Sequence, residues 1–433
     1  MQKSNYFKFN KRNVFIIITL LLLVNLLCFK IVEQKKDKDK DKNKNKFSRT
    51  IPNGFGVNTH LTGNSIDINL IKDAGFKVVR QDITWESIEK EPGVFDFEDR
   101  GYDELTNALV SNNIRPYYIL NYSNRLYEEN KSIVTKKGQD AFVRYVSEVT
   151  SRYKDKEIIW EIWNEPNGSF WEPKPNIKEY SSLLKRVSKT IKENDPSGVV
   201  VAPALARLEG ESLLWLEEIF KKGILDYIDA LSVHPYRTQN PETVANDYKN
   251  LRNMMSIYTD RDIPIFSGEW GYPTVEWLDG LNLNEDSQAN YLVRMFLINL
   301  LSDIPISIWY DWKNDGTDPR NGEHHFGLRQ NDSKVPKKSY MAINTMNYIL
   351  NGFNLNKRIE IGNPNDYILI FTNKKNEKTI VFWTSENTHR VDTPFNFNKG
   401  RIFSLYGEEI GKVQGGASIN LELTNSPKYI IIR

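Results

Sequence analysis

IIWEIWNEPN, residues 158–167, runs from unbroken apolar residues into an abrupt polar end that carries Asn164 and Glu165. A short, continuously apolar run of this kind suits a parallel strand buried on both faces, not one alternating between core and solvent. Outward from it the same unit recurs, a short apolar strand ending in polar or aromatic residues and then a helical stretch. The other strands read as GFGVNTH (54–60), FKVVRQDI (76–83), RPYYILNYS (115–123), VVVAPALA (199–206), YIDALSVHPY (227–236), PIFSGEWG (264–271) and PISIWYDWKN (305–314). Between them, Phe142, Tyr145, Val146 and Val149 share one helical stripe, as do Ile177, Tyr180, Leu184, Val187 and Ile191. Eight such units predict a (β/α)8 barrel over residues 51–350. A doubly wound open sheet usually has fewer strands and often a Gly-rich phosphate loop, which this sequence lacks.

The pattern changes after Asn351. YILIFTN, KTIVFWT, RIFSLY, SINLEL and KYIIIR, separated by Asn, Gly, Lys and Pro, predict a small β-sandwich-like domain over 351–433. At the other end, Lys3, Lys8, Lys11 and Arg12 precede an apolar run from Val14 to Phe29. No small-x-small cleavage site follows, since Lys30 and Val32 stand there. Residues 1–32 therefore read as an uncleaved signal-anchor that meets the membrane through 14–32, with a removed signal peptide as the alternative. Either form places the barrel outside the cytoplasm, anchored by a single pass or secreted. Residues 33–50 are a Lys/Asp/Asn-rich tract that reads as a hydrated tether.

The first 50 residues hold 13 Lys/Arg and four Asp/Glu, which leaves 45 basic against 52 acidic residues in the rest. An acidic body has no basic face for phosphates, so no nucleic-acid partner is expected. No obligate protein partner is evident. The single cysteine, Cys28, lies inside the apolar run and excludes a disulfide framework. Five scattered histidines give no metal-ligand spacing, so neither metal nor cofactor is expected.

In such a barrel, catalytic groups sit at the C-terminal ends of the strands. Those ends carry Arg80 and Asp82 with Trp85 just beyond, then WNEPN (163–167), HPY (234–236), GEWG (268–271) and DWK (311–313). Glu165 and Glu269, on strands four and seven, can face one another across the mouth. Paired carboxyls, one protonated and one ionised, suit glycosidic cleavage; a gap of about 5 Å gives retention and about 7–9 Å inversion. Arg80, aimed inward, would hold one glutamate ionised, while Trp163 and Trp171 would desolvate the other. Arg80 could also serve as a plain ion-pair partner, His234 as a satisfied core histidine, and Trp85, Trp309 and Trp312 as core.

WNEPN and GEWG resemble the hallmarks of clan A glycoside hydrolases. The stretch 54–122 is similar to family 39 enzymes and related exopolysaccharide-cleaving endoglycosidases, and the resemblance extends to about residue 345 through YDWKNDG and FGLRQNDSKVPKKSY. It implies Glu165 as acid/base, Glu269 as nucleophile, and Asn164 on the hydroxyl beside the cleaved carbon. It further implies that Arg80 and Tyr236 orient Glu269 with His234 beside them. Trp312, or Trp309 if the strand phase differs, would floor the sugar, and Trp85 and His60 would complete the substrate contacts. The function implied is a retaining, endo-acting glycosidase on a β-linked surface polysaccharide. A carbohydrate-binding pseudoenzyme and a transglycosylase remain as alternatives.

Overall fold

The eight apolar runs pair as parallel strands and close on themselves. They are β1 (Phe55–Thr59), β2 (Val78–Thr84), β3 (Arg115–Asn121), β4 (Ile159–Ile162), β5 (Val199–Ala206), β6 (Ala230–His234), β7 (Ile265–Trp270) and β8 (Ser307–Trp309), with β8 bonded back to β1. This computed structural model describes residues 47–60, 65–278, 280–332, 334–395, 397, 399–416 and 418–432. The anchor and most of the tether expected at the N-terminus fall outside the described residues. Among those described, no helix is long and apolar enough to cross a membrane.

Helices cover the outside of the barrel. α1 (Ser65–Asp73), α2 (Tyr102–Ser111), α3 (Lys136–Tyr153) and α4 (Ile177–Asn194) alternate with the first strands, and α5 (Gly210–Lys221), α6 (Val244–Tyr258), α7 (Glu285–Leu301) and α8 (Lys338–Ile349) with the later ones. Their starts are set locally. Thr135, Asn176 and Asn284 each accept a hydrogen bond from the backbone N–H three residues on, satisfying a donor that the first helical turn leaves unpaired. The stripe read on α4 is the buried one, with Tyr180, Leu184, Val187 and Ile191 packed on the strands.

One irregularity aims a side chain. Ser307 pairs with Ser267 and Trp309 with Trp270, so β7 carries one more residue than β8 between the two pairs. A bulge of this kind bends the strand and redirects the residues that follow. It lies immediately at Gly268 and Glu269. Gly268 is required there, because a Cβ would stand 2.2 Å from the Ser232 hydroxyl and 3.4 Å from Glu161 Oε1.

The C-terminal part is all-β, as its strand-and-turn pattern implies. β9 (Phe353–Arg358), β10 (Asp366–Asn373), β11 (Lys378–Thr384), β13 (Lys399–Phe403), β14 (Glu409–Gln414) and β16 (Lys428–Ile432) form one six-stranded sheet, and β12 (His389–Thr393) with β15 (Ile419–Leu423) form a ribbon. Strand alternation splits the sheet's side chains between two cores. Ile368, Ile380, Phe382 and Ile430 pack under the ribbon, whereas Leu369, Phe371, Val381 and Trp383 join the core of the barrel helices.

A buried ion pair fixes that junction. Arg294 on α7 donates to both oxygens of Glu242, at 2.7 and 2.6 Å, and the Trp383 indole of β11 donates to Glu242 Oε1 at 2.7 Å. Removing one member of such a pair strands the other charge in a dry site. Glu242→Ala should therefore destabilise the protein by about 3–5 kcal/mol in chemical denaturation. A loss below about 1 kcal/mol would mean that the pair is hydrated and does not hold the junction.

Candidate active site

The mouth of the barrel at the strand C-termini opens into a cleft of about 380 Å³. At its base lies Arg80 on β2, 1% exposed and with every nitrogen engaged. Nε donates to Glu161 Oε2 at 2.8 Å; Nη1 donates to Asn58 Oδ1 at 2.9 Å and Glu269 Oε2 at 2.5 Å; Nη2 donates to Asn164 Oδ1 at 2.8 Å and contacts His234 Nε2 at 3.3 Å. Burial works against its charge, but Glu161 and Glu269 outweigh it, and the guanidinium is held in its charged form. Glu161, in the middle of β4 and fully buried, uses its other oxygen to accept from the Tyr117 hydroxyl at 2.7 Å.

Glu269 leaves β7 just past the bulge. It accepts from Arg80 on Oε2 and from the Tyr236 hydroxyl on Oε1 at 2.8 Å. Its side chain is 14% exposed and borders the cleft.

Glu165 arrives from the opposite side on a strained turn. Trp163 (φ 69°) and Glu165 (φ 47°) both lie in the left-handed region, at a cost of about 1–3 kcal/mol each. The surroundings offset this. Glu165 N–H donates to Ala204 O, and Asn167 both donates to Ala206 O at 3.0 Å and accepts from Ala206 N at 2.9 Å, pinning the turn to the end of β5. Trp163 packs behind, against Trp171 and Tyr122. Burial raises the Glu165 carboxyl to about 7, with Arg80 and Arg207 only partly opposing it.

His234 links the two acids. Burial lowers its ring to about 4, so it is neutral at physiological pH. A guanidinium can only donate, so His234 Nε2 facing Arg80 is the acceptor and Nδ1 carries the hydrogen. Nδ1 then donates to Glu165 Oε1 at 2.8 Å, which leaves Oε2 as the oxygen for a proton on this carboxyl. One oxygen each of Glu165 and Glu269, together with His234 Nδ1, all lie within 4.8 Å of one another.

Several sites read from the sequence stand elsewhere. His234, grouped with the substrate-binding residues on the resemblance, is fully buried beneath the cleft and is bonded to Glu165 and near Glu269, so it can position those carboxyls but does not reach the cleft surface. Trp85 begins a one-turn helix after β2, which turns its ring outward onto Tyr127, Phe142 and Tyr145; it is core, away from the cleft. Trp312 is also core. β8 ends at Trp309, so strand alternation does not run on to 312, and the Trp312 indole donates to Asp67 Oδ1 at 3.0 Å. Trp309 is buried as well, bonded to Phe326 O. Besides Tyr236, the cleft is lined by the rings of Tyr310, Trp277, Tyr122 and Phe170, the last two stacked at 5.6 Å.

Arg80, Asn164, Tyr236 and His60 all border the cleft. His60 donates to Asp315 at 3.1 Å; desolvation opposes its charge, but Asp315, Asp311 and Asp82 raise it to about 9. His60, Asp311 and Asp315 bring ligand atoms within 4.8 Å of one another and could hold a cation at the rim. Glu161 went unread, although a lone acid inside IIWEIW required a buried partner and Arg80 inside KVVRQDI was the complementary charge. Trp277 lies in a two-residue strand, Glu323 in a single 3-10 turn and Phe170 in a turn, all too short for any periodicity to mark them.

Comparison with known proteins agrees with this geometry. The sequence model for Cellulase (glycosyl hydrolase family 5) matches residues 40–316. A β-xylosidase of Geobacillus stearothermophilus is 26% identical over 164 residues, 34% of this chain and 32% of the relative. The aryl-phospho-β-D-glucosidase BglA of Bacillus subtilis is 24% identical over 272 residues, 58% of this chain and 53% of the relative. The chain thus spans only about a third to a half of these curated relatives. Among solved structures, a family 39 glycoside hydrolase from Bacteroides cellulosilyticus superposes with a TM-score of 0.76 at 23% identity, covering 88% of this chain and 81% of that one. A family 39 β-xylosidase from Caulobacter crescentus gives 0.65 at 15% identity, covering 89% and 98%. With its barrel, its two facing glutamates and a family match across most of the barrel, the chain belongs to the Cellulase family (glycosyl hydrolase family 5) and is a clan A glycoside hydrolase resembling family 39.

Proposed function

We propose that this protein is a retaining glycoside hydrolase that cleaves β-linked polysaccharide within the chain, outside the cytoplasm, through a glycosyl-enzyme. The observation that carries the reading is that one oxygen of Glu165 and one of Glu269 lie no more than 4.8 Å apart, on the side of the short separation of about 5 Å that serves a nucleophile and well short of the wider gap of about 7–9 Å of inverting pairs. The β linkage is supported by the names of the relatives, a β-xylosidase and a β-D-glucosidase. The extracytoplasmic setting is supported by the basic-then-apolar N-terminus, and a tethered enzyme near a surface polymer favours cleavage within the chain.

In the first step Glu269 Oε attacks the anomeric carbon. The bond to the leaving oxygen breaks, and that oxygen takes the proton from Glu165 Oε2. Arg80 and Tyr236 fix the attacking carboxylate, and Asn164 stands beside the reacting carbon, held by Arg80. Once Glu269 is esterified its charge is gone, and the field of Arg80 falls more fully on Glu165, which favours its carboxylate. Glu165 then removes a proton from water as that water attacks the same carbon, and Glu269 is released.

Glu269→Gln should lower kcat at least about 10³-fold on every glycoside, because the nucleophile is lost. Glu165→Gln should cost about 10²–10⁴-fold on substrates with poor leaving groups, and much less in the first step on activated aryl glycosides. Reducing-end release from a panel of β-glycans that is unchanged in both variants would remove the two glutamates from the chemistry. The acid must be protonated in the free enzyme, so kcat/KM should be level below about pH 7 on this limb and fall tenfold per pH unit above it. A limb that stays flat to pH 9 in a full profile would remove Glu165 from the acid role.

A further inference from the structure

A second large cavity lies apart from the catalytic cleft. It is a groove of about 780 Å³ between the barrel and the C-terminal sheet, bordered by Asn240, Leu283 and Asn290 on one side and Asn387 and Asn425 on the other. Two separate segments run from the cleft into it. Tyr236 borders the cleft, Arg237 to Gln239 border a smaller cavity of about 160 Å³, and Asn240 borders the groove. In the second segment Trp277 borders the cleft, Leu278 the small cavity and Leu283 the groove. The three hollows are therefore strung along the same two walls. Four residues separate Tyr236 from Asn240, so their Cα atoms are at most about 14 Å apart, the span of a few sugar residues.

The groove is polar, and the two basic side chains that line it are both paired. Arg294 is spent on Glu242, His389 on Asp366, and Glu386 accepts from Asn363 and Asn365. Asn240 is spent too, accepting from Tyr291 and Arg294 and donating to Ser385 O. The side-chain amides of Asn290, Asn387 and Asn425, by contrast, border the groove and carry no hydrogen bond to any described residue. A carboxamide offers two donors and an acceptor at one point, which matches vicinal hydroxyls and has no preference for an anion.

We infer that a neutral polysaccharide chain continues from the cleft past Tyr236 and Trp277 into this groove, and that the amides of Asn290, Asn387 and Asn425 bind its hydroxyls. The C-terminal domain then supplies remote substrate subsites as well as covering the barrel. This inference rests on the glycosidase reading above and gives it a substrate class, a long and uncharged polymer.

The test compares the full chain with the Asn290→Ala/Asn425→Ala double variant and with Asn387→Trp, which would obstruct the groove. The substrates are the β-glycan polymer and the aryl glycoside that the unaltered protein turns over fastest. Loss of two ordinary hydrogen bonds should lower kcat/KM on the polymer about fivefold or more, mainly through KM, and leave the aryl glycoside unchanged within about twofold. The same variants, built on Glu269→Gln, should lose retardation in native gels cast with that polymer. Equal effects on both substrates, or no effect on either, overturn the groove while leaving the catalytic reading intact. Hydrolysis of neither substrate by the unaltered protein overturns the catalytic reading, and the groove with it.

Discussion

The Arg80 guanidinium is the constraint on which the site is built. A buried arginine is tolerable only when its charge is matched and its donors are all used. Glu161 below and Glu269 above match the charge, and Asn58, Asn164 and His234 take the remaining donors. Each of these partners is thereby fixed in place. Glu269 is turned toward the cleft, Asn164 is oriented beside Glu165, and His234 is left with only one tautomer. The strand ends of β1, β2, β4, β6 and β7 converge on this one side chain.

From that arrangement follows the difference between the two acids. Glu269 lies against the cation and a tyrosine hydroxyl. Glu165 sits on the far side of His234, which is neutral because it is buried and can give the acid only a single hydrogen bond. Burial then dominates at Glu165 and raises it to about 7. On the proposed mechanism, two identical side chains take two roles through their surroundings. The left-handed backbone at Trp163 and Glu165 is the conformational cost of bringing the acid there, and Asn167 with Ala206 is the brace that sustains it.

Much of this was legible in the chain itself. All eight barrel strands follow from continuous apolar runs, and the glutamate pair follows from polar strand ends, because both are repeated one-dimensional patterns. The all-β tail is equally plain from its short strands and turn residues. The aromatic contacts were not legible. Trp85 read as a cleft residue because it stands two places past the run 76–83, and Trp312 because it lies within the run 305–314, yet β8 ends at Trp309, alternation carries no information beyond a strand's end, and both rings turn into the core. Tyr310 took the position that periodicity could not assign. The bulge that aims Glu269 depends on the register between β7 and β8, which no single strand encodes. Glu161 was legible in principle, since two lone charges in neighbouring apolar strands are worth pairing.

The chemistry can be caught between its two steps. In Glu165→Gln an activated aryl glycoside needs no acid to leave, but the ester on Glu269 lacks a base to direct water, so the enzyme should accumulate one glycosyl unit. Intact-protein mass spectrometry followed by peptide mapping should find that single added sugar on the peptide holding Glu269. A protein that stays unmodified while releasing the aryl group, or an adduct on any other residue, would contradict the two-glutamate mechanism.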